Sequence, residues 1–291
     1  MAVYKIKDLE QLTGIKAHTI RVWEKRYGIL NPERTDTQIR TYSDKELVSI
    51  LNVALLNKSG LKISRIAEMS EKEVNQKVAD LKGNYVVETS YEQLVMSLVE
   101  LDENLFKSTL SNLIEDFGLE VTFTNHLIPF LDKIGIMWLV GSINAAQEHF
   151  MSNLIRQLII TEIDKIEVPA LKEKPIMLFL PEHEWHEISL LFYQFVLRKM
   201  GKSTFYLGQS LPYDAVVECV EKIQPSCLVT SWLTSVDGAF VKKYFQRLHN
   251  DTNGLKVFAG GYQMKLHGDL ISNWAVIVES VVDLKHFVVS I

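Results

Sequence analysis

Residues 174–291 alternate short apolar runs with amphipathic stretches five times over, and few architectures accept that alternation. The runs KPIMLFL, STFYLG, PSCLVTSWL, LKVFAGG and AVIVES read as strands. Between and after them lie EISLLFYQFVLRKMG, PYDAVVECVEKIQ, SVDGAFVKKYFQRLHND, YQMKLHGDLISNW and VVDLKHFVVSI, read as helices, the fourth as a helix or a loop. Five β–α units predict a doubly wound parallel sheet, Rossmann-like or flavodoxin-like. Such sheets bind ligands outside the carboxyl ends of their strands. Three polar features fall there: EHEWHEIS at 182–189, SWL at 231–233 and GG at 260–261. The first packs His183, His186, Glu182, Glu184 and Glu187 into one strand exit. By residue type alone, metal ligation, acid–base catalysis and a solvated loop all fit it.

The chain has 291 residues, 47 % hydrophobic and 23 % charged, which predicts two or three globular domains. No apolar run reaches the eighteen or so residues of a membrane span, and the N-terminus shows no signal-peptide core. A cytoplasmic protein is expected. Cys219 and Cys227 match no zinc or redox spacing and are expected to be reduced and structural. Charge is uneven: residues 1–70 carry 12 Lys and Arg against 8 Asp and Glu, the whole chain 31 against 36. A basic head that faces a polyanion, joined to an acidic body, is the implied arrangement.

In the head, Ile6, Leu9 and Leu12 form a helical stripe that Thr13-Gly14 interrupts. A second helix from about Lys16 to Tyr27 places Ile20, Trp23 and Tyr27 on one face and Lys16, His18, Arg21 and Lys25 on the other. Two short helices across a glycine turn, the second one basic outside, make a helix-turn-helix pattern. Gly28, Asn31 and Pro32 punctuate a turn, and Arg34 and Arg40 flank a polar tip like a wing. Ser43 and Glu46 predict a capping box that opens a helix burying Leu47, Ile50, Leu51, Ala54 and Leu55, with Gly60 at its end. A small helical domain with merely solvated charges is the other reading. TGI at 13–15, TIRVWEKRYGI at 19–29, Pro32, Arg34 and RTYSDKEL at 40–47 resemble the winged-helix domain of the MerR family of transcription regulators. The resemblance implies operator DNA as partner, with Arg21, Tyr27, Arg34 and Arg40 at phosphates or grooves. Many of its members sense metal ions through a cysteine tail, but no cysteine precedes Cys219 here.

Residues 71–83 read as a short helix or linker, Ser90 and Gln93 suggest a capped start, and apolar spacing of 3–4 continues to about Ile166. A four-helix bundle is the economical reading. Taken alone, Trp138 is expected in its core and Glu148-His149 in solvent. The organisation expected is a winged helix-turn-helix domain at 1–75, a linker at 76–89, a helical bundle at 90–168 and the α/β domain at 174–291.

The three strand-end features together resemble the cobalamin-binding fold. Glu184-x-His186-x-x-Ser189 is followed, after 41 intervening residues, by Ser231-x-Leu233 and, after 26 more, by Gly260-Gly261. The resemblance implies His186 as the lower axial ligand of cobalt and Glu184 as its orienting partner. The cofactor's nucleotide tail would pass Ser231, with Gly260 and Gly261 allowing close backbone approach. His183, Glu182 and Glu187 are left as solvated loop residues. Trp138, nine residues, then Glu148-His149 is similar to the helical cap of CarH/LitR-type photoreceptors, MerR-type repressors with a cobalamin-binding bundle and Rossmann-like domain. That implies adenosylcobalamin, with Trp138 over the upper face of the corrin, Glu148 on the adenosyl group and His149 in support. It also implies a dark tetramer that represses and a light-driven release from DNA. Two positions depart from the pattern: Ser189 stands for the motif's glycine, and Leu139 for a histidine after the cap tryptophan. A regulator whose corrinoid-like domain answers instead to a partner protein or another ligand is the alternative. Corrinoid methyltransferases share the bundle and sheet, but no substrate domain remains, so an enzyme is not expected.

Overall fold

The computed structural model describes residues 4–289, apart from 36, 83–88, 140–142 and 168–173. The chain forms two compact units, Met1–Leu154 and Ile155–Ile291.

The first unit opens with α1 (Ile6–Thr13) and α2 (Ala17–Tyr27). Gly14 joins them in a left-handed conformation, φ 70°, and its N–H donates to the Glu10 carbonyl at 2.9 Å. A side chain resists that conformation, so the tight turn depends on glycine. Gly28 closes α2 in the same way. A two-stranded wing follows, β1 (Glu33–Arg34) against β2 (Arg40–Thr41), and Tyr4 bridges to Tyr42 beside it. Helix α3 (Asp44–Lys58) starts at the Ser43–Glu46 capping box and buries Leu47, Ile50, Leu51, Ala54 and Leu55. Short α4 (Ile63–Ala67) leads to α5 (Glu71–Lys82). The linker expected over 76–89 is therefore helical as far as Lys82, and residues 83–88 lie outside the described residues. Its polar composition suits an exposed helix as well as a tether.

Four helical rods follow. Helix α6 spans Ser90–Glu100 and α7 Glu103–Thr122, where Asp102 caps the start by accepting from the Leu105 N–H at 2.9 Å. Gly118 breaks α7 with φ 75° and ψ 158°, and the chain continues through a π turn, Phe123–Leu127, into α8 (Ile128–Leu139). The fourth is α9 (Ala145–Asp164). Leu94, Phe106, Leu110, Leu113, Phe123, Leu127 and Phe130 fill the interior. Ser90 is not the expected cap: Thr89 holds the N-cap position, and the Ser90 hydroxyl is buried in the first turn.

The second unit is the parallel sheet. Its strands are β3 (Ile176–Pro181), β4 (Thr204–Leu211), β5 (Cys227–Ser231), β6 (Val257–Gly260) and β7 (Val276–Val278), in the order β4-β3-β5-β6-β7. Helices α10 (Ile188–Lys199), α11 (Tyr213–Ile223), α12 (Gly238–Asp251), α13 (Tyr262–Ile271) and α14 (Val281–Val289) alternate with them. Met177, Phe179, Leu228 and Val257 point into one core with Val216, Val241 and Phe245; Ile176, Leu178, Val229 and Phe258 point into another with Leu190, Leu197 and Leu284. Burial on both faces is why these strands read as continuous apolar runs. Both cysteines are free thiols, and burial pushes that of Cys227 up to about 12. The strand order reverses between β3 and β5, so the loops leaving these strands open a crevice at their carboxyl ends.

Gly118 occupies a backbone region essentially reserved for glycine. Gly118→Ala is expected to destabilise the first unit by about 1–3 kcal/mol, read as a lower urea midpoint.

Candidate functional site

The crevice between β3 and β5 is organised by one carboxylate. Glu184, 3 % exposed, sits in the loop after β3. Its Oε2 accepts from the backbone N–H groups of Leu233 and Thr234, each at 2.7 Å. Its Oε1 accepts from the His186 N–H at 3.0 Å, the Thr234 hydroxyl at 3.0 Å and the His186 ring Nδ1 at 2.6 Å. Burial alone would raise the Glu184 carboxyl, but the hydrogen bonds from His186, Thr234 and Leu233 outweigh it and hold the group down at about 2. An ionised carboxylate only accepts, so the proton shared with His186 resides on Nδ1. In the neutral imidazole the lone pair then lies on Nε2, and the His186 side chain is 61 % exposed.

The loop itself is held in place by β4. His183 and Ser210 both adopt left-handed backbone, φ 70° and 53°. The His183 N–H donates to Ser210 Oγ at 3.1 Å, and the Ser210 N–H donates to the Glu184 carbonyl at 3.0 Å. Glu187 is not the solvated residue expected from the sequence. It is buried, and its carboxylate accepts from the Tyr206 hydroxyl at 2.8 Å and from Arg156 Nε at 2.5 Å. It closes the loop onto the neighbouring strand because it directly precedes the first turn of α10. Glu182 and His183 are exposed, as expected.

Ser189 is the second residue of α10, half-buried and with ordinary helical backbone, so its position does not demand glycine conformationally. Ser231 ends β5 opposite Gly260, and its buried Oγ has no partner among the described residues. Leu233 contributes its backbone N–H to Glu184. Gly260 and Gly261 have reasons of their own. A Cβ on Gly260 would collide with the Tyr193 hydroxyl. One on Gly261, where φ is 93°, would strike the Trp232 backbone, with Trp232 N at 2.6 Å. Thr234, Ser210 and Tyr193 escaped the sequence reading. A buried carboxylate requires donors, so a threonine just past the SWL motif was a signal available for the first.

In the first unit Trp138 lies on α8 and is 51 % exposed, not in the bundle core as residue type alone suggested. His149 Nδ1 and Glu148 Oε2 are 2.9 Å apart in the first turn of α9, on exposed side chains. In the head, His18, Arg21 and Lys25 line one exposed face of α2, and Lys16, just before it, pairs with Glu10 at 3.1 Å. Tyr27 is half-buried and packs beneath the Arg26 guanidinium. Arg34 is exposed on the wing. Arg40, on the wing, directs its Nε at both Glu24 oxygens, 3.0 and 3.2 Å away, where the Tyr42 hydroxyl also donates to Glu24. It fastens the wing to α2. Among the described residues no three of His, Cys, Asp and Glu gather around one point, so the loop offers a metal one imidazole and not a protein cage. No described helix is long and apolar enough to cross a membrane.

Residues 4–73 match the MerR HTH family of regulatory proteins, and residues 90–161 match a B12 binding domain. The chain thus joins a MerR-type helix-turn-helix region to a region that matches a B12 binding domain. Over 281 residues it is 26 % identical to the HTH-type transcriptional repressor CarH of Myxococcus xanthus, covering 94 % of this chain and 93 % of that one. It is 26 % identical to the repressor CarA of the same organism over 231 residues, 79 % of this chain and 76 % of that one. In fold it is similar to a monomethylamine corrinoid protein of Methanosarcina barkeri, with a TM-score of 0.53 at 17 % identity over 67 % of this chain and 94 % of that one.

Glu184→Ala would strand five donors at the crevice. It is expected to cost the second unit at least about 3 kcal/mol, visible as a fall in its denaturation midpoint.

Proposed function

We propose that the chain is a transcriptional repressor that binds operator DNA through α2 and the β1–β2 wing and is controlled by a cobalamin held on His186. One observation carries the cofactor part: Glu184 fixes the His186 proton on Nδ1 and leaves Nε2 as the ligating nitrogen, the arrangement that orients a metal-bound histidine and raises its basicity. The orphaned Ser231 hydroxyl suits a polar group arriving at the strand ends. Ser189, Leu233, Gly260 and Gly261 frame the same end of the sheet. Trp138, Glu148 and His149 are assigned to the upper side of the cofactor on their resemblance to the photoreceptor cap, and their exposure leaves them open to contact. As adenosylcobalamin, the cofactor would supply a cobalt–carbon bond that light cleaves. The protein's share is ligation and a two-state assembly, tetrameric and DNA-bound in the dark.

A second reading, a regulator that answers to some other ligand, draws on one observation: Tyr193 already fills the space beside Gly260. The test is to purify the chain with adenosylcobalamin in darkness and follow its absorbance through gel filtration, before and after green light. Co-elution of corrinoid and a spectral change on illumination are expected, and a corrinoid-free peak refutes the proposal. His186→Ala is expected to lose the axial-nitrogen signature of the cobalt spectrum; an unchanged spectrum removes the ligand assignment.

For DNA, Arg21→Ala and Arg34→Ala are each expected to lower the slope of log affinity against log salt by about 0.9 in a mobility-shift titration.

A further inference from the structure

Four residues after Ser189, Tyr193 sits in the second turn of α10 and directs its ring at the carboxyl end of β6. Its hydroxyl would lie 2.4 Å from a Cβ on Gly260, and its Cε2 and Cζ 3.2 Å from such an atom. Gly260 has no left-handed φ to justify glycine, so the requirement there is for space, and Tyr193 takes that space. The register partner of Gly260 is Ser231, whose buried hydroxyl finds no acceptor or donor among the described residues. Two small residues and one orphaned hydroxyl thus form a notch at the sheet's ligand end, with a tyrosine laid into it. Such a notch fits a polar group entering from outside the strand ends, and Tyr193 is the side chain that obstructs entry.

We infer that Tyr193 is a specificity-determining gate that sets which corrinoids this domain admits, by obstructing a nucleotide tail and leaving the corrin ring itself unhindered. The inference rests on the corrinoid reading above. A ligand that needs the notch binds only the fraction of molecules in which Tyr193 has swung aside, and its apparent affinity falls by that fraction. A ligand that does not enter the notch is indifferent to the tyrosine.

The experiment titrates the full chain in darkness with hydroxocobalamin, which has the tail, and with aquocobinamide, which lacks it. Binding is read from the corrin spectrum, and folding from the melting curve. Tyr193→Val is expected to bind cobalamin at least about tenfold tighter than the natural chain, with cobinamide affinity unchanged within about threefold. Tyr193→Phe keeps the ring and removes the atom nearest the notch, so a smaller tightening confined to cobalamin is expected; if the valine variant does not fold, this one decides. Equal tightening for both corrinoids, or no tightening for cobalamin, overturns the gate. If the natural chain and both variants bind neither corrinoid, the corrinoid reading itself fails and takes the gate with it. Binding of both corrinoids by the natural chain without discrimination in any variant removes the gate alone.

Discussion

The contact on which the ligand end of this protein depends is the buried Glu184 carboxylate with its five donors. Two of them are consecutive backbone N–H groups of the loop after β5, and two belong to His186 in the loop after β3. A charge with so little solvent is tolerable only when its oxygens are fully engaged. Glu184 therefore does two things with one set of bonds: it closes the switch point of the sheet, and it dictates the tautomer of the exposed imidazole. Ser210 and Glu187 secure the same loop to β4, so His186 is mounted on three strands.

The regular elements were legible because their periods are simple. Strands buried on both faces read as apolar runs, and the helices between them as stripes. The head was legible down to the capping box, since Ser43 and Glu46 act within one turn. The choice of partners across the fold was not. Thr234 is fifty residues from Glu184, and only the order β3-β5 brings them together. Glu182, Glu184 and Glu187 look alike in nine residues, yet one is exposed, one is the hub, and one is buried against Arg156 and Tyr206. Which is which follows from the exit angle of β3 and the start of α10, neither of which has a local code.

The glycine pair is a case where pattern and cause separate. The resemblance to the cobalamin-binding fold marks Gly260-Gly261 as part of a ligand motif, whereas the contacts show Gly261 pressed on the Trp232 backbone and Gly260 against Tyr193. A motif position can serve the sheet's own packing and a ligand together, and losing it would then disturb both.

The Arg40–Glu24 pair in the head bears on how DNA is met. Glu24 belongs to α2 and Arg40 to the wing, so the charge of the arginine is largely spent within the protein. The pair ties the wing to α2. In the proposed DNA complex, the α2 face and the wing would be presented at a fixed span, like the jaws of a caliper. A duplex of the wrong groove width would be refused by its shape before any base is read.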